Sequence, residues 1–251
     1  MALRIGCDLD GVLADMEAEL VRQAEALFGE VMTRRLQESP GVGSAPADGE
    51  PADVPAAGAP EPPQENVPQL VKLRLTPRQQ RRLWRHVETI ENFWEGLKEC
   101  EPGVIGRLAS IASDRRWEII FLTKRPETAG ATAQVQTQRW LASKGWTLPS
   151  VFVVQGSRGR IAQALDLDIV IDDRPENCLD VVMDSKARAM LVWREDANQL
   201  PVAAQRLGIG VVKSVNECLD ILTQVDIAGK DEPGVMARVR KLLGLRQPAS
   251  A

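Results

Sequence analysis

Polar and apolar positions follow two different rhythms along this chain. Leu3 to Leu9 is a short apolar run ending in Asp8-Leu9-Asp10-Gly11, which predicts a buried strand running into a turn. From Asp15 onward Met16, Leu20, Ala24, Leu27 and Val31 recur three or four apart. That is the spacing of an amphipathic helix, and it fades near Gln37. A second stripe, Leu83, Val87, Ile90 and Trp94, follows Thr76-Pro77-Arg78-Gln79, a capping box with proline at the first helical position. Two such helices bury their apolar faces by pairing, which predicts a small helical unit.

Beyond Glu101 helix and strand take turns. Val104, Ile105, Leu108 and Ile111 predict a helix, and Trp117 to Thr123 a strand. A helix is expected over Gly130 to Lys144, a strand over Val151 to Val154, a helix over Arg158 to Leu165 and a strand over Ile169 to Asp172. Pro175 opens a further helix and Ala189 to Trp193 makes another strand. Ser214-Val215-Asn216-Glu217 is a second capping box, at the start of the last core helix. Alternation of this kind predicts a doubly wound (Rossmann-like) α/β core, a parallel sheet covered on both faces. The expected organisation is a core of residues 1–14 and 98–225, a helical cap of 15–97 inserted after the first strand, and a C-terminal helix or tail of 226–251.

Ser39 to Gln69 breaks both rhythms. It holds half of the protein's 16 prolines and almost no large apolar side chains. Such a segment buries too little surface to offset its ordering entropy, so a disordered or polyproline-like insertion within the cap is expected. The basic stretch Arg238 to Arg246, with Val239, Leu242 and Leu243 interleaved, predicts an exposed helix. A net charge of -4 and a pI near 5.3 argue against a nucleic-acid polymer as the main partner. Apolar runs such as Ile119 to Leu122 are far too short to span a membrane, and the N-terminus does not read as a signal peptide. Four widely spaced cysteines without a C-x-x-C pair argue against a disulfide framework. With His86 as the single histidine, they also argue against a zinc site. A reducing, cytoplasmic setting fits this usage. A homodimer is left open.

Candidate chemistry gathers where strands end. Open parallel sheets bind ligands outside the carboxyl ends of their strands. The first strand ends in Asp8 and Asp10, the second in Thr123-Lys124-Arg125, the fourth in Asp172-Asp173, and Arg158 opens the helix feeding that fourth strand. Four carboxylates, a hydroxyl and a guanidinium would then share one crevice. Clustered carboxylates raise one another's pKa unless a cation lies among them, and donors that are all oxygen suit a hard ion such as Mg2+. A guanidinium opposite that ion is equipped to chelate phosphate oxygens.

Asp8-Leu9-Asp10-Gly11-Val12-Leu13-Ala14-Asp15 resembles the first motif of the haloacid-dehalogenase superfamily. Phe121-Leu122-Thr123 resembles its second motif and Ile171-Asp172-Asp173 its fourth. The third usually supplies a lysine. Here Arg158 is the best-spaced residue, with Arg160 as its rival. The resemblance implies a magnesium-dependent phosphatase for a small phosphate ester, in which Asp8 is the nucleophile and Asp10 the general acid and base. It implies that Thr123 and Arg158 hold the phosphoryl group, with Lys124 and Arg125 beside them among the substrate-binding residues. The metal would lie on Asp8, the backbone carbonyl of Asp10, Asp172 and Asp173.

The segments Asp10 to Asp15, Asn92 to Leu97 and Asp172 to Pro175 are also similar to the 5'(3')-deoxyribonucleotidase group. That likeness implies a nucleoside monophosphate substrate and a base pocket lined by Phe93 and Trp94. Trp94 equally completes the apolar stripe of its helix. Lys124, where the group often has a small residue, and the long insertion depart from the group. A phosphatase for a sugar phosphate, or a silent phosphate-binding scaffold, are the rival readings. Hinges are expected near Ala14-Asp15 and Leu97-Lys98.

Overall fold

The computed structural model of the chain describes residues 3–31, 33, 73 and 75–228. The predicted insertion at 39–69 and the basic stretch 238–246 lie outside the described residues, as does the expected helix end near Gln37.

Strand β1 (Arg4–Asp8) is buried because it is paired on both sides. One neighbour is β2 (Glu118–Thr123), in the register Ile5 opposite Ile119. The other is β4 (Ile169–Asp172), with Ile5 opposite Ile169. Outside these lie β3 (Ser150–Val153), then β5 (Arg188–Val192) and β6 (Gly210–Val212). All pairs are parallel, and the strand order is β3-β2-β1-β4-β5-β6. Strands β2 and β3 build outward on one side of β1, and β4, β5 and β6 on the other. The order therefore reverses beside β1, the point where doubly wound sheets open a crevice.

The helices that flank the sheet are α3 (Val104–Arg115), α4 (Ala133–Ser143), α5 (Arg158–Ala164), α6 (Pro175–Asp184), α7 (Val202–Arg206) and, after β6, α8 (Val215–Ala228). Successive strand residues point to opposite faces. Ile119, Phe121, Ile171, Met190 and Val192 pack with α3, α4 and α8, whereas Leu122, Val170, Ala189 and Leu191 pack with α5, α6 and α7. Both faces are covered, which is why the strand sequences read as continuous apolar runs. Among the described residues no helix is long and apolar enough to cross a membrane.

The inserted helices α1 (Met16–Phe28) and α2 (Pro77–Glu88) pack against each other and join the first of these clusters. Asp15 caps α1 through Ala18 N–H at 3.1 Å, and the Thr76–Gln79 capping box is formed in both directions. Met16, Leu20 and Ala24 are buried as the stripe predicts, but Val31 is 69% exposed. His86 faces α1, with Nε2 at 3.1 Å from Gln23 Oε1.

Trp94 does not complete the α2 stripe. The helix stops at Glu88, Asn92 takes a left-handed conformation (φ 51°), and Trp94 sits in a separate 3-10 turn (Phe93–Gly96). The two expected hinges meet: Asp15 N–H donates to Lys98 O (2.9 Å) and Cys100 N–H to Leu13 O (2.8 Å). The chain thus leaves and re-enters the sheet region through adjoining backbone segments.

Candidate active site

Asp8 is the last residue of β1, so its side chain emerges at the reversal point between β2 and β4. It is only 7% exposed. Arg158, first residue of α5 and equally buried, donates from Nη2 to Asp8 Oδ1 at 2.5 Å and brings Nε to 3.7 Å from Asp172 Oδ2. Asp172 is fully buried. Its Oδ1 accepts the Arg174 N–H (2.9 Å), and both of its oxygens lie 3.0 Å from Asn177 Nδ2. Asn177 escaped the sequence reading because an asparagine one turn into a helix carries no motif. Arg160 is exposed on α5, and only its backbone N–H enters a described contact, to Ser157 Oγ. Of the two rivals, Arg158 is the one brought to the crevice.

Asp173 lies against the turn after β1. Gly11 has φ 87°, and a Cβ there would stand 2.0 Å from Asp173 Oδ2, so glycine is required on both counts. This turn is also gripped from β5's end. Arg194 donates to the carbonyl oxygens of Gly11 and Val12, and pairs with Glu101 (2.8 Å), which in turn accepts the Val215 and Asn216 N–H groups at the start of α8.

Asp10 points the other way. It accepts Thr123 Oγ1–H at 2.9 Å and is held by Arg125, whose Nε and Nη2 lie 2.7–3.1 Å from its oxygens. Arg125 is buried, and the residue is not at the crevice surface. Lys124 beside it is half-buried. Phe93 (4% exposed) and Trp94 (0%) form an edge-to-face pair inside the core. The structure therefore brings Asp8, Asp10, Thr123, Arg158, Asp172 and Asp173 to one sheet end, and leaves both aromatic rings beneath the surface.

The electrostatics are those of crowded acids. Burial, and then the neighbouring Asp172 carboxylate, push Asp8 well above the ordinary carboxylate range, against the pull of Arg158. Burial raises Asp172 in spite of Arg158 and the hydrogen bonds from Arg174 and Asn177. Asp173 is pushed up to about 7, first by burial and then by Asp172. A divalent cation would relieve all three. Among the described residues no three His, Cys, Asp or Glu side chains are grouped to hold an ion unaided. Magnesium, however, keeps several waters and typically takes one or two carboxylates together with phosphate oxygens, so this all-oxygen donor set fits it. Arg158 Nε and Nη1 are buried without a hydrogen-bond partner among the described residues, two donors that phosphate oxygens would satisfy.

A stability prediction follows from Asp173. Its raised pKa means that the folded protein holds a proton there that the unfolded chain, near 3.8, does not. The associated stability is complete below the unfolded value and is lost as pH rises through about 7. In EDTA the Tm should fall between pH 5 and pH 8, and Asp173→Asn should flatten that fall. Added Mg2+ should raise the Tm at pH 8 more for the wild type than for the variant. Identical pH slopes in the two proteins would contradict the assignment.

Fold and crevice together define a doubly wound α/β protein with an acidic crevice where its strand order reverses. A provisionally named beta-phosphoglucomutase from Thermotoga maritima superimposes with a TM-score of 0.51 at 18% identity, over 89% of this chain and 99% of that one. A hydrolase from Pseudomonas syringae (TM-score 0.49, 17% identity, 89% and 99% covered) is also similar. So is an HAD family hydrolase from Deinococcus radiodurans that carries bound phosphate and sodium (0.47, 15%, 99% and 99%). The likeness is one of fold. No family model matches the chain, and no curated protein does.

Proposed function

We propose that the chain is a magnesium-dependent phosphomonoester hydrolase that works through an aspartyl-phosphate on Asp8. The observation that carries this reading is the buried Asp8–Arg158 contact at the sheet's reversal point, with two further donors of Arg158 unpartnered beside it. Asp8 Oδ attacks phosphorus in line as the ester P–O bond breaks. Asp10 gives a proton to the leaving oxygen and later takes one from the water that cleaves the aspartyl-phosphate. Arg158 and the Thr123 hydroxyl hold phosphoryl oxygens. Asp8, the Asp10 backbone carbonyl, Asp172 and Asp173 would hold magnesium, whose charge offsets that of the phosphoryl group. Residues 15–97 form the cap and 1–14 with 98–225 the core, in a cytoplasmic protein whose four cysteines are free.

Within this reading a nucleoside 5'-monophosphate is the leading substrate, on the strength of the motif resemblance. The burial of Phe93 and Trp94 favours a second substrate class, sugar phosphates, which need no stacking surface. The test is p-nitrophenol release from p-nitrophenyl phosphate with Mg2+ and with EDTA, followed by a panel of nucleoside monophosphates and sugar phosphates. Turnover only with Mg2+ is expected. No preference for nucleotides would discard the nucleotide assignment. Silence across the whole panel, with phosphate still bound, would favour a binding protein instead.

A further inference from the structure

Arg125 is one of two buried cations among the described residues, and the mechanism above leaves it without a task. Its guanidinium is fully buried, yet the partner it holds, Asp10, lies at the crevice. Nε reaches both oxygens of Asp10 (3.1 and 3.0 Å) and Nη2 reaches Oδ1 (2.7 Å), the fork geometry that fixes a carboxylate plane as well as its position. Nη1 is occupied by Thr137 Oγ1 at 2.9 Å on α4, and the backbone N–H rests on Thr123 Oγ1 at 3.3 Å. Two indoles lie beside it as well. The guanidinium carbon lies 4.9 Å from the Trp94 ring centroid and 5.7 Å from that of Trp140. Both indoles are themselves anchored, Trp94 Nε1 to Pro126 O (3.0 Å) and Trp140 Nε1 to Leu97 O (2.8 Å). Every described contact of Arg125 therefore serves to hold it still, and its own fork in turn holds Asp10.

We propose that Arg125 is the positioning residue of Asp10: packed against Trp94 and Trp140, it sets where the acid–base carboxylate stands relative to the leaving oxygen. This rests on the proposed phosphatase reading. A proton donor acts only within about 2.6–3.2 Å of the atom it protonates, and a carboxylate free to rotate spends little time there. Arg125 touches no reacting atom itself. A lysine cannot replace the fork, because a single ammonium cannot fix both oxygens in one plane.

Leaving-group dependence tests this, because proton donation matters for an alkoxide and hardly at all for p-nitrophenolate. Wild type, Arg125→Lys, Arg125→Gln and Asp10→Asn are compared on glycerol phosphate and on p-nitrophenyl phosphate, with Mg2+ present and Tm recorded. For Asp10→Asn and Arg125→Gln the expected loss in kcat/KM, which reports phosphoryl transfer to Asp8 and not hydrolysis of the aspartyl-phosphate, is on the order of 10²-fold on glycerol phosphate and only a few-fold on p-nitrophenyl phosphate. On both esters kcat should fall as well, because Asp10 also takes the proton of the water that cleaves the aspartyl-phosphate. Arg125→Lys should show the same substrate bias at reduced size. If Arg125→Gln does not fold, Arg125→Lys decides. Equal losses of kcat/KM on both esters in the Arg125 variants, with Asp10→Asn biased as expected, would overturn the positioning role alone. A wild type that turns over neither ester would overturn this inference together with the phosphatase reading.

Discussion

Asp8→Asn is expected to abolish Mg2+-dependent release of p-nitrophenol, a loss on the order of 10⁴-fold or more, as when a covalent nucleophile is removed. The replacement is isosteric and keeps an oxygen for Arg158, so the protein should still fold. Its stability should in fact rise in EDTA. Asp8 is a buried acid held well above its ordinary pKa by burial and by Asp172, and a neutral amide removes that conflict. The paired outcome, lost turnover with an unchanged or higher Tm, separates a chemical role from a structural one. Residual turnover above a few per cent of wild type would mean that another group attacks phosphorus.

Gly159→Ala should damage folding and turnover together. Helices α5 and α6 approach so closely at this residue that a Cβ would lie 2.2 Å from the Asp180 carbonyl oxygen and 2.7 Å from Asp184 Cβ. The first of these is backbone and cannot swing aside. The helices must separate, at a cost of about 1–3 kcal/mol or more. The damage reaches the crevice because Asp180 also holds the start of α5: its Oδ2 accepts Ser157 Oγ–H (2.7 Å) and the Gly159 N–H (3.0 Å). Arg158 lies between those two donors. Displacing α5 therefore draws the guanidinium away from Asp8, and kcat should fall together with the Tm. Gly156→Ala, three residues earlier, is the control: a Cβ there meets nothing within 4 Å, so both quantities should hold. Wild-type Tm and kcat in Gly159→Ala would refute the packing argument.

Much of this architecture is readable before any coordinates. Strands buried on both faces need continuous apolar runs, and runs such as Ile119 to Leu122 and Ile169 to Ile171 carry that requirement openly. Helix starts are equally legible, since the orphan N–H groups of a first turn demand a partner. Thr76 accepts from Gln79 N–H and Ser214 from Glu217 N–H as their spacing predicts, although the Glu217 carboxylate reaches the Lys213 N–H. The sixth strand was not legible. Gly210–Val212 is only three residues long, begins with a glycine and follows another at Gly208; it becomes a strand only because Met190 to Val192 offer it an open edge. Trp94 misled for a related reason. Spacing continues a helical stripe past Glu88, but the Thr89 hydroxyl donates to His86 O and left-handed Asn92 turns the chain away.

The sequence by itself determined most of the elements, their parallel pairing and the strand ends where acids collect, because burial pattern, capping and chain connection are local or periodic properties. Only the tertiary structure decided which polar groups meet. It chose Arg158 over Arg160, because the first residue of α5 faces Asp8 while Arg160 is exposed. It took Arg125 into the core and set it on Asp10, 115 residues away in the chain. It buried Phe93 and Trp94, turning a candidate pocket into support for that cation. Such pairings depend on strand order and helix approach, which are settled when the whole sheet assembles, and no local spacing encodes them.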